Sequence, residues 1–489
     1  MTQLHTLTLV EARELVASGK CTPSELVNAS LERIRSTDAT LNACITVCDE
    51  QARHHAAQLD TVAGTEQIRD MPLLGIPVTV KDAFCTKEVA TTCASHMLEG
   101  FVPPYNAHVI ELLQKAGAVI VAKTNLDEFA MGSSTEFSAY GGTCNPWDTA
   151  RVSGGSSGGS AASVAAHLAY GSLGSDTGGS IRQPAGFCGC VGIKPTYGRV
   201  SRYGMVAYAS SFDQAGVLGR NVRDASVLLD VIAGYDPRDA TSSLVDTPVV
   251  PDSVPSDLKG KILGLPKEFW DKGLSPEVES QCRAAVDKAK ELGAKVVEIS
   301  LPHLQYSVAA YYILASAEAS TNLARFDGVR YGLRAGEDEG LVGMYIASRS
   351  RGFGMEVKRR ILLGTYVLSS GYYDAYYRKA SQIRRLFLED YEKALGQCDA
   401  LLAPVSPVTA WKFGEFKDDP LTSYKMDILT LGLNLAGLPG LSLPVGLGKE
   451  SNMPVGLQIS GKAFDEKGII AIAGALEGVL PSLGMPPCA

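Results

Sequence analysis

Two glycine-serine runs, RVSGGSSGGSAASVAA at 151–166 and GSDTGGSIRQPAGFCG at 174–189, follow each other almost without a break. A flexible linker uses the same residues but is flanked by polar, aperiodic sequence. Here the connecting SAASVAAHLAYGSLG is a dense small-residue segment with helical spacing. The runs are therefore read as tight, buried turns. Clustered glycines also expose backbone N–H groups, which suits an anion or an oxyanion, as in phosphate cradles and acyl-transfer sites.

The rest of the chain can supply a rigid scaffold for such turns. It has 489 residues, 45% hydrophobic and 20% charged, a globular balance. A length prior of roughly 150 residues per domain allows about three, but large α/β sheets run longer as one unit, so one big core or two is expected. A net charge of −8 argues against a broad cationic surface that holds nucleic acid alone. Any RNA contact then needs a basic partner. The eleven cysteines are scattered without a C-x-x-C pair, which fits a reducing compartment better than a disulfide framework. Cys44 and Cys48 have a spacing that zinc could use and Cys188 and Cys190 sit too close together, but neither has a second pair or a histidine cluster to complete four ligands, so no metal is expected. The N-terminus has neither an apolar signal run nor an Arg-rich, acid-poor character, and no stretch approaches about 18 uninterrupted apolar residues. A cytoplasmic protein is the expectation.

Thr8 with Glu11, and Thr22 with Pro23 and Glu25, spell two capping boxes, the second predicting a helix to about Ser36. From LLGIPVTVKDAF through HVIELLQKAGAVIVAKTN, short Val/Ile-rich runs alternate with helical pattern, and the alternation returns at KILGLPKEF, PEVESQCRAAVDKAKELG and AKVVEI. This is the α/β signature of a sheet covered by helices. The expected layout is a single domain over 1–489: N-terminal helices in 1–60, a core at about 70–225, a helical, aromatic-rich segment at about 307–396 able to cap a pocket, and strands in 397–489 that rejoin the sheet.

Several motifs compete for the chemistry. GGSSG at 154–158 matches the G-x-S-x-G nucleophile elbow, but that elbow needs a strand-turn-helix context and a later histidine, and only His167 and His303 follow. GLQISGKA at 456–463 nearly spells a phosphate loop, yet Ala463 stands where a hydroxyl must ligate magnesium, so the stretch reads as a strand ending in a turn with Lys462 at the surface. Ser256 and Lys259 form a Ser-x-x-Lys pair without an S-D-N partner and read as a solvated face.

Taken together with GIPVTVKDAF, the two runs closely resemble the amidase signature family, with 24 residues between Ser156 and Ser180 and 99 between Lys81 and Ser180. The resemblance implies a large twisted mixed β-sheet with helices on both faces. It also implies a triad in which Ser180 is the nucleophile, Ser156 the bridging serine behind a cis peptide bond from Gly155, and Lys81 the base. The N–H groups of Thr177, Gly178, Gly179 and Ser180 would form an oxyanion hole, with Asp176 and Arg182 supporting the loop.

The chemistry explains why these residue types serve. A serine hydroxyl needs a base, and a lysine can be that base only when neutral. Its pKa must fall from about 10.4 by roughly three units, a differential cost of about 4 kcal/mol that burial can supply. Lys81 follows the apolar IPVTV, the expected place for a desolvated amine at a strand end; a salt bridge with Asp82 is the plain alternative.

NLDEFAMGSSTEFSAYGGTCNPWD, KPTYGRVSRYGMVAYASSFDQAG, ASAEASTNLARFDGVRYG and KMDILTLGLNLAGLPG extend the resemblance over nearly the whole chain, toward the glutamine-hydrolysing members of tRNA-dependent amidotransferases. This implies glutamine as substrate, held by Arg360 at its α-carboxylate and Asp427 at its α-ammonium, with Tyr311 lining the pocket. An Arg fork suits a carboxylate; the alternatives are a basic helix face beside Lys358 and Arg359, and a helix-capping role for Asp427. It implies the companion B and C subunits of a heterotrimer, tRNA held mainly by the B subunit, and ATP with magnesium on the partner, with no cofactor in this chain. A free-standing amidase of small amides is the alternative, a non-catalytic assembly scaffold a more distant one. Phe137 departs from the family pattern, which has asparagine there. Cys85 and Cys93 have no role derivable from sequence.

Overall fold

A computed structural model describes residues 3–63, 70–270 and 273–488. The alternating pattern resolves into strands β1 (Cys44–Val47), β2 (Pro77–Lys81), β3 (Val119–Thr124), β4 (Cys144–Asn145), β5 (Asp148–Val152), β6 (Gly171–Ser175), β7 (Val191–Lys194), β8 (Ala215–Gly219), β9 (Ile262–Pro266), β10 (Lys295–Ile299), β11 (Ala400–Pro404), β12 (Gly440–Leu447) and β13 (Pro454–Ser460). Eleven of them make one sheet in the order β1-β3-β2-β6-β8-β7-β12-β13-β11-β9-β10, while β4 and β5 form a separate ribbon. The pairs β3-β2-β6 and β11-β9-β10 are parallel and those in the centre antiparallel, so the sheet is mixed. Every residue of β2, β3, β6 and β8 is buried, as strands covered on both faces require.

The N-terminal segment differs from a purely helical one. Both capping boxes form, at Leu9–Ala17 and Pro23–Leu41, but the second helix runs past Ser36 and is stopped by Asn42 in the left-handed region (φ 52°). After it Cys44–Val47 turns into β1 and pairs antiparallel with β3. The strands of 400–460 enter the same sheet as those of 77–219, so one sheet runs through the chain, and β9, β10 and the helix Pro276–Glu291 extend it beyond the expected core.

Among the described residues there are three apolar clusters, the smallest around Phe187 and Trp411. The largest covers the sheet with residues such as Leu31, Val80, Val121, Leu218, Leu441 and Ile470. The second lies under the helices Ser307–Asn322 and Met355–Leu368, where Tyr311, Leu314 and Val357 pack on Phe129, Tyr208 and Leu431. Beside this second cluster, β2 and its parallel neighbour β6 end on the same rim, with Lys81 and Ser175 as their last residues. The carboxyl ends of adjacent parallel strands are where such sheets place ligand chemistry.

Candidate active site

Lys81 is fully buried, and its Nζ lies 2.7 Å from Ser156 Oγ, 2.9 Å from Ser157 Oγ and 2.8 Å from Ser175 Oγ. Burial drives its pKa down to about 7 against the opposing pull of Asp127, Asp176 and Asp213. The alternative of a pair with Asp82 does not form. Asp82 turns to Lys123, 2.9 Å away, and accepts from Thr92 N–H and Oγ1 at 2.8 and 2.6 Å. Two buried lysines in neighbouring strands thus divide their roles: Lys123 has a carboxylate, Lys81 only hydroxyls.

Ser156 follows a cis peptide bond from Gly155. The loop is packed so closely that a Cβ on Gly155 would sit 2.1 Å from Asp127 Oδ2 and 2.6 Å from Ser134 N. Asp127 in turn accepts from Ser134 N and Phe137 N, each at 3.2 Å. Phe137, the departure from the family pattern, supports this carboxylate with its backbone while its ring is 42% exposed, so the unusual side chain faces away from the buried serines. The helix Gly158–Ala165 starts directly after Ser157, and its glycines allow close approach: a Cβ on Gly159 would meet the Asn125 backbone at 2.5 Å.

The second run continues β6 into the turn carrying Ser180. Ser157 N–H donates to Ser180 C=O at 3.1 Å and ties the two runs together. Asp176 is buried at the base of the turn and forms a bidentate pair with Arg182, at 2.9 Å to Nε and 3.0 Å to Nη2. Burial opposes its ionisation, yet the Arg182 guanidinium holds it well below the usual carboxylate range. Arg182 also donates to Gln458, Asn434 and Thr430 C=O. Both therefore support the loop, and one of the four expected oxyanion donors is already engaged: Gly179 N–H donates to Asp176 Oδ1 at 2.8 Å. The N–H groups of Thr177, Gly178 and Ser180 have no acceptor among the described residues.

Ser180 opens onto a small cavity shared with Ser133, Gly178, Tyr311, Tyr312, Arg360 and Asp427. Arg360 projects from the buried face of the helix Met355–Leu368, where it donates to Glu356 Oε1 at 2.8 Å and to Tyr208 OH at 2.6 Å. Burial opposes its charge, but Tyr208 and Glu356 raise its pKa well above the ordinary value, so it stays a cation. The basic-face alternative is thus resolved by orientation, since Arg359 is half exposed while Arg360 points inward. Asp427 stands before the helix Ile428–Ala436 but makes no capping bond with its side chain. It accepts instead from Ser133 Oγ at 2.6 Å and Tyr312 OH at 3.3 Å, and burial lifts its pKa to about 7. One cavity therefore presents a cation, a carboxylate and a serine.

Other features fall outside this cluster. The elbow reading of GGSSG fails because its serine bonds Lys81, while His303 pairs with Asp390 at 2.9 Å. GLQISGKA is strand β13 and a turn, with Lys462 exposed. Cys93 is buried with its thiol pushed well up by burial, and the Cys85 thiol donates to Tyr105 OH at 3.8 Å. A larger apolar cavity of about 600 Å³, walled by Phe269, Leu274, Pro302, Leu304, Met426 and Leu429, holds none of the expected site residues. Among the described residues no helix is long and apolar enough to cross a membrane.

Known proteins similar to this chain place it in a family. The family model described as Amidase matches residues 25–470. The glutamyl-tRNA(Gln) amidotransferase A subunit of Nitratidesulfovibrio vulgaris is 56% identical over 490 aligned residues, covering 99% of both chains. That of Oleidesulfovibrio alaskensis is 58% identical over 479, covering 98% of both. Among solved structures, the corresponding A subunit from Thermotoga maritima superposes with a TM-score of 0.83 at 41% identity, covering 100% of this chain and 99% of its own. The peptide amidase of Stenotrophomonas maltophilia superposes at 0.81 with 30% identity, covering 98% of each. The chain belongs to the amidase family, and within it to the group whose members are named as the A subunit of glutamyl-tRNA(Gln) amidotransferase.

Proposed function

We propose that this chain hydrolyses the side-chain amide of glutamine and supplies the ammonia to a tRNA-dependent amidotransferase of which it is one component. The observation that carries this is the single cavity in which Arg360 and Asp427 flank Ser180. A buried cation and a buried carboxylate match the α-carboxylate and α-ammonium of a free amino acid, and they leave its side chain to reach the serine. An enzyme for small or aryl amides has no use for either charge.

In the reaction, neutral Lys81 takes the proton of Ser156, which takes that of Ser180 as its oxygen attacks the amide carbon. The oxyanion is met by the peptide N–H groups of Thr177, Gly178 and Ser180, each worth roughly 3 kcal/mol to the tetrahedral intermediate. The proton returns to the leaving nitrogen, ammonia departs, and water then cleaves the glutamyl ester on Ser180 by the same relay. The companion B and C subunits complete the enzyme in this reading, the B subunit holding most of the tRNA and the ATP with magnesium that activate the mischarged glutamate or aspartate. The acidic net charge of −8 supports placing tRNA on a partner.

The deciding assay uses the chain co-purified with its neighbours. Glutamine should drive amidation of mischarged tRNA, Ser180→Ala should abolish that, and free ammonia should restore it. Unchanged glutamine-dependent amidation by Ser180→Ala would mean that the chain is a scaffold. Turnover of a simple aliphatic amide that survives Arg360→Ala, with no glutamine hydrolysis by the parent, would mean a free-standing amidase.

A further inference from the structure

Asp213 belongs to no part of the triad or the proposed glutamine clamp, yet it hydrogen-bonds both to the Ser180 turn, through Thr177, and to the turn that carries Tyr208. Strands β6 and β8 pair antiparallel with Ser175 opposite Ala215. Continuing that register beyond the strand ends sets Thr177, in the Ser180 turn, against Asp213. The side chains close the pair: Thr177 Oγ1 donates to Asp213 Oδ1 at 2.8 Å. The same carboxylate accepts from Tyr208 N–H at 2.9 Å, and from Ala209 N–H at 3.1 Å to Oδ1 and 3.0 Å to Oδ2. Tyr208 OH in turn accepts from Arg360 Nη1 at 2.6 Å. Asp213 is 2% exposed and has no cation within ion-pair distance among the described residues.

A buried carboxylate with only neutral donors is retained at a cost unless those donors are well placed, and such a group fixes the geometry of whatever supplies them. Here the donors come from two directions. One is the residue whose peptide N–H faces the oxyanion; the other is the turn that carries the phenol holding Arg360. The next residue adds to the first arm, since Gln214 C=O accepts from Asp176 N–H at 2.8 Å.

We propose that Asp213 is a positioning residue that sets the peptide N–H array beside Ser180 through Thr177 and the Arg360 guanidinium through Tyr208, keeping the acyl-transfer centre and the amino-acid clamp in register. This rests on glutamine being the substrate, and the parent enzyme's glutaminase activity tests that reading separately.

The two arms are separable in the assembled enzyme. Thr177→Val keeps the side-chain shape and removes only the hydroxyl that reaches Asp213, so kcat should fall at least tenfold while KM for glutamine stays within twofold. Tyr208→Phe removes the phenol that holds Arg360, so KM should rise at least fivefold with a smaller change in kcat. Asp213→Asn replaces one acceptor oxygen with an amide donor facing N–H groups, and both parameters should move. If Asp213→Asn does not fold, Thr177→Val and Tyr208→Phe decide. Parent-like kcat in Thr177→Val, or loss of kcat and KM in the same proportion in both single-arm variants, overturns the proposal. A parent enzyme without glutaminase activity overturns the functional reading instead.

Discussion

Lys81 Nζ sits 2.7 Å from Ser156 Oγ with two further hydroxyls around it, and counting protons fixes what each can do. Ser157 Oγ already donates to Ser175 C=O at 3.0 Å, so it can only accept from Lys81. A neutral amine has two N–H donors and one lone pair, and an ammonium has three donors and none. The neutral form must therefore receive a proton from Ser156 or Ser175, and the proposed relay takes it from Ser156, whose neighbour Ser157 donates its N–H to Ser180 C=O. In the ammonium form all three serines accept, and Ser156 has no base to give its proton to.

Lys81 thus acts as a base only above its own pKa. Burial has brought that to about 7, so the acid limb of kcat should bend near pH 7 rather than near the ordinary lysine value of about 10.4. Lys81→Ala should lower kcat by about 10²- to 10⁴-fold, the usual contribution of a general base. Lys81→Arg should be as inactive and gain nothing in alkali, because a guanidinium does not deprotonate. The check is a glutaminase pH profile of parent and variants; appreciable Lys81→Arg activity at any pH would rule out the lysine as base.

A second group titrates in the same range. In the proposed clamp Asp427 must be ionised to receive the α-ammonium of glutamine, and burial has raised its pKa to about 7. Falling pH protonates both Asp427 and Lys81, each in the direction that lowers kcat/KM. The acid limb of log kcat/KM should therefore be steeper than one proton, approaching a slope of about two. Asp427→Asn should raise KM and return the slope to one. A parent limb of unit slope would show that Asp427 keeps its proton throughout, or is never protonated.

Lys81, Ser156 and Ser180 could be picked out because they occupy separate motifs at fixed spacing; folding brings Lys81 Nζ to 2.7 Å from Ser156 Oγ and ties Ser157 N–H to Ser180 C=O. Lys81 could also be placed at a strand end from the apolar IPVTV alone. What the sequence hid were contacts made between distant segments. Ser175 and Ser157 sit beside the named serines, but nothing in a glycine-serine run tells which hydroxyls will face an amine arriving from β2. Asp127 and Ser133 lie in the quoted NLDEFAMGSSTE, and their roles depend on Gly155 packing against one and Asp427 against the other. Gly179 looked equivalent to its neighbours as an oxyanion donor until Asp176 was seen to engage its N–H. Strand β1 was missed because four residues between two helices carry too short a pattern to be read as period two.

The Asp176–Arg182 pair makes a stability prediction. Both side chains are wholly buried, and removing one charge strands the other. Breaking a buried pair in this way typically costs about 3 to 5 kcal/mol. Asp176→Ala should therefore lower the thermal midpoint by several degrees, and it should also free Gly179 N–H and loosen the Ser180 turn. Replacing Arg182 alone should destabilise comparably, while the double replacement should be less harmful than the two losses added. Calorimetry of the three variants checks this; additive losses would mean that the two side chains act independently.

Gly178 tests the cavity itself. Its backbone is not in the left-handed region, so alanine introduces no strain there, and any effect must come from the added methyl. That Cβ would lie 2.7 Å from both Cζ and the hydroxyl of Tyr311, which lines the Ser180 cavity, and 2.8 Å from Leu431 Cδ2. The ring would have to leave the pocket or the peptide carrying an oxyanion donor would have to shift. Overpacking of this size costs about 1 to 3 kcal/mol, so the protein should fold. A shift of about 1 Å at the reacting centre lowers activity by roughly 10²-fold. Gly178→Ala should therefore lose about that much kcat/KM while remaining folded, and pairing it with Tyr311→Leu, which removes the obstructing ring, should recover part of the kcat. Gly155→Ala is the contrast: its methyl would strike the Ser134 backbone nitrogen at 2.6 Å as well as the Asp127 carboxylate, neither of which can move aside, so it should fail to fold. Full activity in Gly178→Ala would place the substrate, and with it the oxyanion, on another face of the Ser180 turn.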